Sequence, residues 1–303
     1  MTNPAPSITA VLVNYGPPED TLECVRSLHA TGYPALRVIV VDNASPGGAG
    51  ERLKRELGDR VELILSDRNT GFSGGNNLGI RRALDAGTDY VVLINNDASL
   101  KSDALQILAE QAPAEPRLGI LAGKIMVATE EGPTSNVWSA GGWWDPLRAC
   151  GYATGMGEPD RGQYDQAGET EFFAGCLWFV PADVFRKVGL LDEAFFLYLE
   201  DADYCLQLRQ TSYRLVYEPR AVCYHKVSRS HWHDRGRASA VLNYYTNRNR
   251  FLMARKWLTS VQRMMFYAYI FSSRIVQAGR HLDLSYLSGL WDGVRGKTGP
   301  LKV

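Results

Sequence analysis

Apolar runs of strand length alternate with mixed polar and apolar stretches along the first 125 residues. Ile8–Val13, Val38–Val41, Val61–Leu65 and Tyr90–Ile94 are rich in Val, Ile and Leu, and the stretches Glu19–His29, Gly50–Leu57 and Asn76–Ala86 between them suit helices. A further helix is expected after Ser102, which stands at an N-cap position with Asp103 in the first turn. Near-continuous apolar strands separated by helices predict an α/β fold with a mostly parallel sheet covered on both faces. The strands end in Asn14-Tyr15, Asp42-Asn43-Ala44-Ser45, Asp67-Arg68-Asn69 and Asn95-Asn96-Asp97. Ligands of such sheets bind beyond the carboxyl ends of the strands, so four polar strand ends on one edge mark a candidate site.

The pattern changes from about Asn136. Trp138, Trp143, Trp144, Tyr152 and several glycines predict irregular β structure, followed by a strand at Phe172–Val180. PADVFRKVG predicts a short helix opened by Pro181 at its first position and ended by Gly189. Leu242–Gln277 is mostly helix-compatible.

Composition adds little until charge is divided along the chain. The 303 residues are 45% hydrophobic and 22% charged, with a formal net charge of zero. From Arg235 onward there are 12 Lys and Arg against two acids, Asp283 and Asp292, so this part carries +10 and residues 1–234 carry −10. We therefore expect a catalytic domain over 1–234 and a basic helical extension over 235–303. The acidic larger part excludes nucleic acid as the main partner. Five cysteines, none in a CxxC pair, predict free thiols in a reducing cytosol. MTNPAPSITAVLVNYG has no basic n-region, and its apolar run is too short for a signal peptide.

Several clusters could carry chemistry. Asp42 in VVDNAS either closes an Asx turn or bonds the ring N–H of a nucleotide base. SDRNTGFSGGNNLG reads as a strand, a glycine-rich loop and a helix start. It matches neither GxGxxG nor GxxxxGK[ST]. Asp97 is a candidate metal or diphosphate contact that needs a second ligand from elsewhere. Glu200, Asp201 and Asp203 follow the apolar run Phe195–Leu199. Acids in a first turn complement the helix dipole, and a carboxylate against an apolar wall can also serve as a general base. His225 ends a strand-like run in AVCYHKVSRSHWH.

In this order, VLVNY, VVDNAS, RNTGFSGGNN, LINNDA, FFAGCLWFVPADVFRKVG, FFLYLEDADYCLQLR and YHKVSRSH resemble the landmarks of glycosyltransferase family 2, whose members have the GT-A fold. The details look most like bacterial rhamnosyltransferases that build surface polysaccharide. The resemblance implies an inverting sugar transfer, with L-rhamnose from dTDP-rhamnose as the first donor and a UDP- or GDP-sugar as the alternative. The implied acceptor is a saccharide or a polyprenyl-diphosphate-linked saccharide. Asn14 and Asp42 would contact the donor, and the Asn69–Asn77 loop, with Gly71, Gly74, Asn76 and Asn77, would line its site. Asn95, Asn96 and Asp97 would stand in for the DxD motif, and Asp97 with His225 would hold Mg2+ or Mn2+. Asp201 would be the catalytic base, oriented with Glu200, while Asp203 and Trp178 would meet the acceptor. Asn95 departs from the pattern, since a neutral amide is a weaker cation ligand than a carboxylate.

A sugar nucleotidyltransferase would need a basic, glycine-rich loop after the first strand, where this chain has NYGPPED. A degenerate, non-catalytic sugar-nucleotide-binding protein is the other reading. In the basic extension, Phe251, Ala254, Leu258, Val261, Met265 and Ala268 recur near helical spacing among Arg248, Arg250, Arg255, Lys256, Arg263 and Arg274. This stretch either packs on the catalytic domain or lies as a cationic helix on an anionic membrane, on the inner face of the cell membrane. Arg263 and Arg274 interrupt it too often for a transmembrane span.

Overall fold

The computed structural model describes residues 5–226, 232–233, 237–238, 240–281 and 284–301. The expected boundary between residues 234 and 235 lies outside the described residues, as do the end of YHKVSRSH and the side chain of Arg274. The first half alternates as expected: β1 (Ile8–Asn14), α1 (Glu19–Ala30), β2 (Leu36–Asp42), α2 (Ala49–Leu57), β3 (Glu62–Leu65), α3 (Gly71–Asp85), β4 (Tyr90–Ile94), β5 (Ala98–Leu100) and α4 (Ala104–Gln111). Then come β6 (Leu118–Thr129), β7 (Gly132–Ser139), β8 (Gly142–Asp145), β9 (Cys150–Ala153), β10 (Gly168–Glu169), β11 (Leu177–Pro181), α5 (Ala182–Val188), α6 (Glu200–Arg209) and β12 (Arg214–His225). The helices α7 (Ala240–Trp257), α8 (Ser260–His281) and α9 (Leu284–Arg295) follow.

One sheet runs in the order β10-β12-β6-β11-β4-β1-β2-β3, with β5 also on β12 and β7 on β6. β1, β2, β3 and β4 pair in parallel, whereas β11 runs antiparallel to both β4 and β6. Along β1, Ile8, Ala10 and Leu12 face one core with α1, α2 and α4, and Val11 faces another with α3 and α6. Each such fully buried aliphatic side chain contributes about 1.5–3 kcal/mol, and this two-sided burial explains the unbroken apolar strands. The register sets Asn14 opposite Asp42, so the polar ends of β1 and β2 are level.

Several boundaries differ from the sequence expectation. Helix α3 begins at Gly71, five residues before Asn76, because its glycines let it lie against β1. A Cβ on Gly75 would stand 2.8 Å from Val13 Cγ1, and one on Gly79 would collide with Val11. Each interior glycine costs roughly 1 kcal/mol of helix propensity, which this close packing offsets. Strand β11 starts at Leu177, since 172–176 turn to bring Gly175 to the site. Asp103, not Ser102, occupies the N-cap of α4, and Pro181 precedes α5 instead of opening it.

The extension breaks at Leu258-Thr259, so its single apolar stripe is divided. Phe251, Ala254 and Leu258 are buried, whereas Val261, Met265 and Ala268 are exposed and α8 buries Phe266 and Ile270 instead. Arg248 and Arg250 point inward, which corrects the picture of one continuous cationic surface helix. No helix among the described residues is long and apolar enough to cross a membrane.

Candidate functional site

The strand ends are tied together by side chains. Asn14 Nδ2 donates to Asp42 Oδ1 at 3.1 Å and to Ser45 Oγ at 2.9 Å, while Thr21 Oγ1 donates to Asn14 Oδ1 at 2.5 Å. Asn96 Nδ2 in turn donates to Thr21 Oγ1 at 3.0 Å. One chain of hydrogen bonds thus joins the ends of β4, β1 and β2 through α1. Sequence reading missed Thr21, an ordinary helix residue whose role depends on where α1 docks. Asn14 is fully engaged and buried, so it positions Asp42 and is not available to a donor. Asp42 also accepts Ser45 N–H at 3.3 Å, three residues on where an Asx turn would bond two residues on, and each carboxylate oxygen still has a lone pair for a ring N–H.

Asn43 was also missed. Its Oδ1 accepts Thr70 N–H at 3.0 Å, and its Nδ2 donates to Gly71 O and to Asn69 Oδ1. Asn69 Oδ1 takes Gly71 N–H at 2.8 Å, and Phe196 O takes Phe72 N–H at 2.7 Å. The Gly71 and Phe72 N–H groups are therefore unavailable to phosphate. Gly71, at φ +75°, has no room for a Cβ beside Phe196 O. Asn76 donates to Phe72 O, and Asn77 exchanges bonds with the Leu191 backbone and donates to Glu193. Gly74 lies against Thr70. Gly74, Asn76 and Asn77 are thus scaffold, not donor contacts.

Beyond β4 the chain returns as β5, which pairs with the end of β12 so that Ala98 faces His225. That pairing brings Asp97 Oδ1 to 3.1 Å from His225 Nε2, with Asn95 Nδ2 3.4 Å from the same nitrogen. Trp138 stands edge-on to the His225 ring. Asn95 Oδ1 and His225 Nδ1 are buried without a hydrogen-bond partner. Among the described residues no three His, Cys, Asp or Glu side chains gather as a self-sufficient metal site. One carboxylate, one imidazole and an orphaned amide oxygen do fit a divalent cation that takes its remaining ligands from a substrate diphosphate.

Asp201 opens α6. Its Oδ2 accepts Gly175 N–H at 3.2 Å and its Oδ1 accepts Ala202 N–H at 2.7 Å. Burial pushes its carboxyl up to about 6, although these N–H groups pull the other way. Burial, and then the Asp201 charge, push Glu200 well above the usual carboxylate range, and its Oε2 has no partner. Burial thus favours the protonated form of Glu200. Burial also raises the Tyr198 phenol, and both the Glu200 and Asp97 charges add to that, so Tyr198 lies near both carboxylates.

The segment before these acids is held from α7. Phe196, Tyr198 and Leu199 all have positive φ, at 63°, 67° and 67°, a conformation costing of order 1–2 kcal/mol per residue. Asn249 Nδ2 reaches Phe195 O, Leu197 O and Tyr198 O at 3.0, 2.8 and 2.6 Å. Arg248 donates to Phe195 O at 2.6 Å and to Gly299 O, beneath the rings of Tyr244 and Tyr245. Neither residue carried a sequence signal, because basic and amide residues on a helix ordinarily face water.

Two acceptor expectations are corrected. Trp178 is 1% exposed, donates to Ala174 O and stacks on Tyr204 inside the core. Asp203 is fully buried and bonded to Lys256, Trp257 and Gln207, which fastens α6 to α7. A cavity of about 230 Å³ between α1 and α2 contains none of the strand-end residues.

With this geometry in place, known proteins supply context. The family model for glycosyl transferase family 2 matches residues 9–189. The chain is 25% identical over 310 aligned positions to the dTDP-rhamnosyl transferase RfbF of Shigella flexneri, covering 97% of each. It is 24% identical over 208 residues to the low-salt glycan biosynthesis hexosyltransferase Agl10 of Haloferax volcanii, 67% of this chain but only 62% of that relative. Among solved structures, GalNAc-T7 with UDP, GalNAc and Mn2+ superposes with a TM-score of 0.64 at 14% identity, over 98% of this chain and 56% of that one. The mannosyltransferase PcManGT of Pyrobaculum calidifontis with GDP-Man and Mn2+ gives 0.54 at 17% identity, over 96% and 85%. These likenesses establish the GT-A fold expected from the sequence.

Proposed function

Since the chain belongs to glycosyl transferase family 2, we propose that it is an inverting hexosyltransferase of glycan and polysaccharide synthesis, with dTDP-rhamnose as the donor and a saccharide or polyprenyl-diphosphate-linked saccharide as the acceptor. One observation carries the reading: β5 folds back so that Asp97 Oδ1 stands 3.1 Å from His225 Nε2 at the carboxyl end of β4, and Tyr198, just before the acid pair, feels the charges of both Asp97 and Glu200. The rhamnose donor is supported by RfbF, which matches along its whole length.

In this reading Asp42 receives the ring N–H of the base, and Asp97, His225 and Asn95 Oδ1 hold a divalent cation. When bound, Mg2+ or Mn2+ withdraws charge from the departing diphosphate. Asp201 takes the proton of the acceptor hydroxyl as that oxygen attacks the anomeric carbon, and the carbon–oxygen bond to the nucleoside diphosphate breaks on the opposite face. Gly175 and Ala202 N–H groups hold the carboxylate in place for this step. The Asp201→Asn variant should lose transfer by a factor of about 10²–10⁴ while still binding nucleotide. Undiminished turnover in that variant would remove the assignment.

A lipid-linked acceptor also bears on α8. Its exposed Val261, Met264, Met265 and Phe271 form an apolar stripe, with Arg255 exposed nearby in the chain. We take this stripe, and not the buried cations of α7, as the surface that meets an anionic membrane. Substituting Met264→Glu and Met265→Glu should abolish flotation with anionic vesicles. Unchanged flotation would discard the membrane contact.

A further inference from the structure

Arg250 is 7% exposed, and its Nε and Nη1 have no hydrogen-bond partner. Its neighbour Arg248 shows how this chain accommodates a structural buried guanidinium, with backbone carbonyls and two tyrosine rings. Arg250 has no comparable set. Buried guanidinium N–H groups without partners are costly, so a native structure that keeps them needs a reason.

Its surroundings supply that reason. Burial raises the Cys150 thiol of β9, and the Arg250 charge and a hydrogen bond between the two side chains oppose the rise. The Asp201 and Asp145 charges act on the same thiol, so all three charged groups lie near it. Neither carboxylate is hydrogen-bonded to Arg250. Asp201 is held by Gly175 and Ala202 N–H groups, and Asp145 is bound by Arg148 at 2.6 Å and by two backbone N–H groups. The adjacent Asn249 grips the carbonyls of Leu197 and Tyr198, just before the acid pair. Arg250 therefore sits near Cys150 of β9 and the start of α6, with its Nε and Nη1 uncommitted.

We propose that Arg250 binds a diphosphate group beside the acid pair, its planar fork matching two phosphate oxygens. The inference rests on the transfer reading given above. That reading offers two diphosphates: that of the departing nucleotide and that of a polyprenyl-linked acceptor.

The test uses the full chain with Arg250→Met and Arg250→Lys, titrated calorimetrically with inorganic pyrophosphate, dTDP and farnesyl diphosphate. Arg250→Met should bind pyrophosphate at least about tenfold more weakly than the parent, with Arg250→Lys between them. If the nucleotide is the source, dTDP weakens equally and farnesyl diphosphate does not; if the acceptor is the source, the reverse holds. Without ligand, Arg250→Met should melt at or above the parent temperature, because it removes an unpaired buried charge. Unchanged binding of all three probes would overturn the proposal, and so would a lowered melting temperature, which would reveal an internal partner. Asp201→Asn separates the two readings. If it stays active, the transfer mechanism fails while the pyrophosphate result stands on its own.

Discussion

Strand β4 and helix α7 each run from apolar sequence into a polar cluster, Asn95-Asn96-Asp97 in one and Asn247-Arg248-Asn249-Arg250 in the other. They use it in opposite ways. The β4 cluster stands where the strand stops, at the sheet edge, and meets groups from other elements: Thr21, His225 and the Cys176 backbone. The α7 cluster is enclosed on all sides, so each polar group must find an internal partner or await a ligand. Arg248 and Asn249 find backbone carbonyls, and Arg250 finds none. Polar residues at a strand end are therefore free to serve chemistry, whereas the same types inside a packed helix mostly serve architecture.

Substitutions at the two clusters should separate activity from stability. The largest effect on activity is expected from Asp97→Asn. Its loss of turnover should exceed the 10–100-fold typical of outer-shell partners of a metal, with the thermal midpoint nearly unchanged. A large drop in melting temperature instead would place Asp97 with the architectural residues. Asn249→Ala should do the reverse. It leaves three carbonyls of a strained segment without their donor, and a loss of about 1–3 kcal/mol in denaturant unfolding is expected. Full stability there would show that the positive-φ segment holds itself. In that variant kcat should also fall more than donor KM rises, because the segment leads into Asp201.

The pH profile sharpens the same contrast with a smaller effect. Asp201 must be ionised to accept a proton, so kcat/KM should rise tenfold per pH unit up to about 6 and then level off. The linked effect on stability has the opposite sign. A carboxyl whose pKa rises on folding favours the folded state while protonated, so its contribution is present below about pH 4 and fades as pH climbs to about 6. A rate profile whose acid limb lies near pH 4 would mean that the Asp201 carboxyl is solvated during catalysis.

Much of the β4 side could be read without coordinates. Apolar strands of even length, polar stops after each and a helix between them are local patterns, and a parallel sheet aligns all the stops on one edge. His225 could be suspected from its place at the end of an apolar run. Its pairing with Asp97 depended on β5 folding back onto β12, which three residues of ordinary sequence do not announce. Trp178 and Asp203 misled because an aromatic and an acid near a candidate base suggest an acceptor site. Both are buried, and their polar atoms are bonded within the protein. Asn76 and Asn77 misled for the same reason, since glycine neighbours suggested a loop where tight packing against β1 makes a helix.

By itself the sequence determined the alternation of elements and the polar carboxyl edge, which follow from periodicity, while the family resemblance of its motifs implied the grouping of Asp42, Asp97, Asp201 and His225 in one candidate site. The tertiary structure alone decided which polar residues face the cleft and which brace it. That division depends on burial and partners, which are set when distant segments dock: α1 bringing Thr21 to Asn14, β5 carrying Asp97 to His225, and α7 closing over the turn before Asp201. A side chain's chemistry is written in its type, but its availability is fixed by what packs against it.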